Sequence, residues 1–292
     1  MLPILRQRLL IVAAALVGGL VWMWIAPWLG PVSGYEGIAL YDASVGLAGA
    51  VGLLLALGLP AIGLGLLTSV TGHPLSGLFV VATALCLLAG AGGSSEGWLW
   101  RADLPGGYGW LIGETLVFSA MLVGLLGLIE LVRPRLARPL AKLSTRDHFG
   151  RGTRLWARPG GRDLLAGLIT AAGGMLLVNL LVRSADEGQV LGALVLGFLV
   201  AGLLGQALSP AKNPVCMLLA PAAAGVAGYA WVLGHYDSGE AVRDAWYAGE
   251  LAGLALVLPI HYFAGGLVGV TLGIGLGQSM EHGSRERRSQ ET

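Results

Sequence analysis

Two acidic residues stand in near-repeated surroundings. One closes Trp110-Leu111-Ile112-Gly113-Glu114 and the other closes Trp246-Tyr247-Ala248-Gly249-Glu250. Each lies where a polar segment gives way to a long apolar run. Two carboxylates that face each other in a weakly solvated site disfavour double ionisation, so one holds its proton more tightly. Such a pair is chemically suited to bind a cation or carry a proton across a membrane. A third candidate, His261, follows Pro259 by two residues inside the last apolar run. Continued as helix, the chain would put His261 close to three turns beyond Glu250, on one face with it. Each residue also has a plainer reading. A carboxylate near a helix N-terminus is favourable to the helix dipole, and a buried neutral imidazole is satisfied by a hydrogen bond to its neighbours.

The elements that must position these residues are read from composition. Apolar residues make up 55% of the 292-residue chain and charged residues only 12%. Soluble domains carry about 25% charged residues, so lipid is the indicated solvent. A helix crosses about 30 Å of hydrocarbon with roughly 20 apolar residues. Eight runs qualify: 9–30, 45–70, 75–93, 110–132, 164–182, 189–208, 214–234 and 251–277. Helices are expected because each amide in lipid must be paired within its own segment. The alternating ten-residue pattern of a membrane β-barrel is absent. Arg6 and Arg8 ahead of Leu9–Leu20 have the look of a secretory signal. The apolar run continues to Trp28 without a small-x-small cleavage site, which favours a retained first helix.

Charge orients the chain. With a cytoplasmic N-terminus, 15 of the 18 basic residues fall inside, and only Arg101, Arg183 and Arg243 fall outside. Of the 17 acidic residues, 11 fall outside. Retention of basic residues in the cytoplasm predicts both termini inside a bacterial-type inner membrane. The same topology puts Trp22, Trp24, Trp28, Trp98, Trp100, Trp110, Trp231 and Trp246 at the outer interface. An aromatic belt accounts for them. An outward-facing site for a quinone or lipid is the sharper alternative, and it would suit a membrane enzyme.

The halves echo one another. Each has a helix with a glycine pair, Gly18-Gly19 and Gly173-Gly174. Each has a proline turn before its third helix, His73-Pro74 and Asn213-Pro214, and each ends on the Trp-x-x-Gly-Glu helix. Four helices per copy is an even number, so the copies would be parallel, related by an axis along the membrane normal. Gly265, Gly269, Gly273 and Gly277 form a ridge of small residues that permits close backbone approach, as do Gly197, Ala201 and Gly205. Pro60, Pro221 and Pro259 are expected to break or kink their helices.

Several chemistries are excluded. Cys86 and Cys216 are too few for a disulfide framework and wrongly spaced for zinc. Haem ligation would need a second axial histidine at the depth of His261, and His73 and His235 lie near opposite ends. No Walker-type spacing is present. No serine has a base placed by spacing, so a hydrolase is not indicated at Ser76 or Ser119. Thr71-Gly72-His73-Pro74-Leu75-Ser76-Gly77-Leu78 resembles a turn in bacterial sulfur-compound permeases. The resemblance covers those residues alone, and the cysteine which that family places in the preceding helix is absent, with Thr68 and Ser69 nearby. That family's function is therefore not carried over.

The expectation is an all-α integral membrane protein with eight transmembrane helices in two parallel four-helix repeats. Helices 1–4 occupy residues 1–132, a basic cytoplasmic loop 133–162, helices 5–8 residues 163–278, and a polar cytoplasmic tail 279–292. The expected function is a permease or channel for a small solute, cation- or proton-coupled through Glu114, Glu250 and His261, with no cofactor, no metal and no nucleic acid. The alternatives are a non-catalytic subunit holding a partner protein at the basic loop, and a membrane enzyme acting on a lipid or quinone.

Overall fold

The computed structural model describes residues 2–30, 37–40, 43–71, 73–92, 95–100, 104, 106–137 and 158–291. Most of the basic loop, residues 138–157, lies outside the described residues, so the docking role expected of it has no structural counterpart here. The described chain is helical, without a β-strand. In order the helices are α1 (Leu2–Leu29), α2 (Gly46–Thr71), α3 (Pro74–Ala91), α4 (Glu96–Leu99), α5 (Gly107–Ala137), α6 (Gly161–Leu181), α7 (Glu187–Leu208), α8 (Val215–Leu218), α9 (Ala220–His235), α10 (Gly239–Tyr247), α11 (Pro259–His261) and α12 (Leu267–Glu291). A 3₁₀ turn, Gly253–Leu256, precedes α11, and a π-helical turn, Tyr262–Gly266, joins α11 to α12.

Six stretches among the described residues are long and apolar enough to cross a membrane: Gln7–Trp24, Gly107–Leu136, Gly161–Leu181, Glu187–Leu208, Val215–His235 and Pro259–Glu281. A seventh is broken, with Gly46–Leu55 and Leu59–Val70 bent by 40°. The break lies just ahead of Pro60, whose ring and missing N–H disrupt the preceding turn. The remaining expected run, 75–93, forms a shorter apolar helix, Leu75–Ala91. Six spans make this a multi-pass membrane architecture.

Pro221 and Pro259 each stand in the first turn of a new helix, α9 and α11, just after an interruption of the expected run: at Leu219 between α8 and α9, and over the residues ahead of α11. There a missing N–H has no intrahelical partner to lose. The expected run 251–277 is not α-helical over its first eight residues, four of which form the 3₁₀ turn. The turns before α3 and α8 share one device. His73 Nδ1 accepts the Leu75 amide at 3.2 Å, and Asn213 Oδ1 accepts the Val215 amide at 3.0 Å. Each side chain satisfies a helix-start donor just beyond a proline.

Close helix contacts use the glycines. A Cβ at Gly265, Gly269 or Gly273 would lie 3.1, 2.5 and 2.5 Å from the carbonyl oxygens of Leu191, Val195 and Leu199 on α7. The other face of α7 meets α6, where a Cβ on Gly205 would approach the Ala166 oxygen at 2.9 Å. So α7 is packed between α6 and α12 at backbone distance, as small-residue ridges permit. α1, α2 and α3 pack on one another, while α5 packs on α9 and α12 on α3. The fourth long helix of each half therefore contacts the third of the other.

Candidate functional site

The site is built around the connection from α10 to α12. Ser238 caps α10 by accepting the Ala241 amide at 3.2 Å. Gly249, at φ +72°, ends the helix and turns the chain. The Glu250 and Leu251 amides both donate to the Ala245 carbonyl, at 2.8 and 3.1 Å. The chain then enters the bundle. At Gly253 a Cβ would fall 2.7 Å from the Val182 oxygen, and its amide donates to Asn179 Oδ1 at 2.9 Å. Only glycine fits this approach to α6.

Beyond Gly253 the backbone is largely buried and forms a 3₁₀ turn, Gly253–Leu256, with no α-helical ladder to absorb its carbonyls. An unpaired buried carbonyl is costly, above all in an apolar solvent. Four consecutive carbonyls are met by hydroxyls instead. Tyr262 donates to Leu254 at 2.9 Å, Tyr108 to Ala255 at 3.3 Å, Ser95 to Leu256 at 2.7 Å and Tyr229 to Val257 at 2.6 Å. These donors come from the π turn, α5, the start of α4 and α9. The three tyrosine rings also pack on one another, with Tyr229 centred 5.9 Å from Tyr108 and 6.3 Å from Tyr262.

His261 lies at the end of this segment, 1% exposed. Its Nδ1 accepts the Leu258 amide at 3.2 Å, closing the first turn of α11. A neutral imidazole accepting at Nδ1 carries its proton on Nε2, so Nε2 is the donor this residue can offer. Leu258 is not helical and Glu250 sits in the turn after α10, so the helical face expected to join Glu250 to His261 does not exist.

Glu114 is 2% exposed, two turns into α5. Its Oε2 accepts the Leu40 amide at 2.8 Å. The Tyr229 phenol lies within its electrostatic reach. One turn further, Phe118 stacks on Phe263, centroids 5.2 Å apart. α11 packs directly on α5. Glu114 and His261 therefore belong to elements in contact. Glu250 is exposed, so the two echoed carboxylates occupy unlike environments.

No protein-family model, curated protein or solved structure matches the chain. The site must be read from its own chemistry. Among the described residues no three His, Cys, Asp or Glu side chains gather as a metal would need. The tryptophans divide. Trp24, Trp28, Trp100, Trp110 and Trp231 are exposed, as a belt requires, whereas Trp22 and Trp98 are core residues. Ser76 and Ser119 donate to backbone carbonyls, Ser119 to Thr115 within its own helix. The residues missed from sequence are Ser95, Tyr108, Tyr229 and Tyr262. Their one sequence signal is the clustering of Gly249, Gly253 and Pro259 in a run otherwise read as helix.

Proposed function

We propose that this protein is a permease-like or channel-like carrier of a small solute, with Glu114 and His261 on its path and Glu250 at the mouth. The observation that carries the reading is the largely buried stretch from Leu251 to Leu258, which holds only a 3₁₀ turn and interrupts the α-helix. Irregular backbone at membrane depth is tolerated where protein buries it or where it lines a cavity. Broken segments of this kind bring helix starts and unwound backbone to the binding sites of transporters. A buried carboxylate and a neutral histidine on the two elements beside it supply a proton or cation acceptor and an N–H donor. The matched caps of His73 and Asn213, and the exchange of fourth helices between halves, support two parallel four-helix repeats. The basic-residue bias supports both termini in the cytoplasm of a bacterial-type inner membrane.

The test is proton-coupled flux in liposomes, read with an internal pH dye across a panel of small solutes. Glu114→Gln should lose coupled flux, His261→Gln should reduce it, and Glu250→Gln should change only the apparent affinity. Flux that is unchanged in Glu114→Gln would remove the carboxylate from the path. A native chain that moves no solute in the panel, and no proton, would overturn the carrier reading.

A further inference from the structure

A cavity of about 510 Å³ lies between α1, α2, α3, α5, the π turn and the start of α12, and none of the carbonyl-binding tyrosines is among its described lining residues. On α5 it runs from Val117 to Leu128. Eleven helical steps make that about 16 Å. One leaflet of hydrocarbon is about 15 Å deep, half of the 30 Å core. Among the described lining residues Trp22 alone carries a side-chain nitrogen or oxygen, and the others are apolar. Two lining residues, Leu55 and Leu128, are 46% and 37% exposed. They are continuous with the exposed Leu59, Leu116 and Leu131 on the same two helices. The cavity therefore opens onto the surface that faces lipid. It also spans the bend of α2, lined by Leu54 and Leu55 before the bend and Ile62 after it.

We infer that this crevice holds one acyl chain of a bilayer phospholipid, inserted between α2 and α5. Its length fits a single leaflet-deep chain, and its lining offers nothing to a charged or strongly polar ring. An apolar crevice continuous with lipid fills with hydrocarbon rather than water, since water there would leave hydrogen bonds unmade. The chain would pack against Leu54, Leu55 and Ile62 on either side of the α2 bend, filling space that otherwise offers them no contacts. The crevice involves none of Glu114, Glu250 and His261, so it stands apart from the carrier reading.

Gly124 lines the crevice, and a Cβ there would meet nothing within 4 Å. Gly124→Phe therefore grows into the cavity without displacing backbone. Gly113, on the same helix but outside the lining, also has open space, so Gly113→Phe is the matched control. The full chain is purified in detergent with dioleoyl-phosphatidylglycerol and examined by native mass spectrometry. The native chain and Gly113→Phe should keep one phospholipid after the others are stripped, and Gly124→Phe should keep none. With dihexanoyl-phosphatidylglycerol, whose chains are too short to fill the crevice, the native chain should lose that adduct at least tenfold more readily. This second arm needs no variant. No retained lipid on the native chain, equal retention by the two variants, or indifference to chain length would overturn the assignment.

Discussion

The Glu114 carboxylate accepts the Leu40 amide at 2.8 Å, and both residues are buried. The pair is separated by 74 residues, so the bond folds the segment after α1 inward onto α5. Ile38 and Ala39 are buried with it, and the Gly37 amide donates to Gly92 at 2.8 Å. A second excursion, Gly253–Val257, is held by Tyr108 on α5 and Tyr229 on α9. Two segments outside the α-helices, from opposite halves, are thus both tied to α5.

Substitution at Glu114 separates its two tasks. Glu114→Gln keeps an oxygen for the Leu40 amide and removes the charge, so the melting temperature should stay close to that of the native protein. Glu114→Leu leaves a buried amide without its acceptor, a cost of about 1–3 kcal/mol. Thermal unfolding in detergent should show that order. Equal loss in both variants would mean that charge, not the hydrogen bond, holds the segment.

Removing one hydroxyl should loosen the carbonyl-bearing segment in proportion to its bond. Tyr229→Phe gives up the 2.6 Å contact to Val257 and should cost about 1–3 kcal/mol; Tyr108→Phe gives up a 3.3 Å contact and should cost less. Both rings serve one segment, so the double variant should deviate from the sum of the singles. Hydrogen exchange over residues 253–258 reads the effect directly. Protection that is unchanged in Tyr229→Phe would contradict this account.

These tyrosines explain what could and could not be seen in the sequence. The long spans were legible because length and apolarity suffice to identify a helix in lipid, and Gly265, Gly269 and Gly273 were legible from spacing alone. The stretch Leu251–Leu258 was not. Its residues are as apolar as any helix, and its backbone partners, Ser95 and Tyr108, lie 161 and 147 residues away. The same limit applied to the echoed glutamates. Local sequence is alike around both, but α5 continues through Glu114 whereas Gly249 turns the chain before Glu250.

The α7–α12 contact predicts a sharp contrast between two glycines. Gly269→Ala sets a methyl 2.5 Å from the Val195 oxygen and 2.9 Å from the Leu199 nitrogen, so the helices must separate. Overpacking of this kind costs about 1–3 kcal/mol. Gly275→Ala meets nothing within 4 Å and should be neutral or stabilising by up to about 1 kcal/mol through helix propensity. Paired melting curves decide it. Similar curves would show that α12 does not approach α7 so closely.

Asp163 offers the most local test at the α6 end of the bundle. Its Oδ2 accepts the Gly160 amide at 2.8 Å, and its Oδ1 accepts the amides of Lys212 at 2.9 Å and Asn213 at 3.1 Å. One carboxylate thus caps α6 and fixes the turn that leads into α8. Asp163→Asn keeps one oxygen and can serve only one side of this arrangement, because its amide nitrogen donates where an acceptor is needed. Asp163→Ala serves neither. Bonds to a charged acceptor contribute about 1.5–3 kcal/mol each when buried, and water at this end reduces the sum. The expected order of stability is native, then Asn, then Ala, with the full span near 3 kcal/mol. Protease sensitivity at Lys212 should rise in the same order, since that residue is exposed and its amide is held by Asp163. Cleavage at Lys212 that is as slow in Asp163→Ala as in the native protein would show that the turn is held by Gln206 Oε1, which accepts the Ala211 amide at 3.3 Å, and not by Asp163.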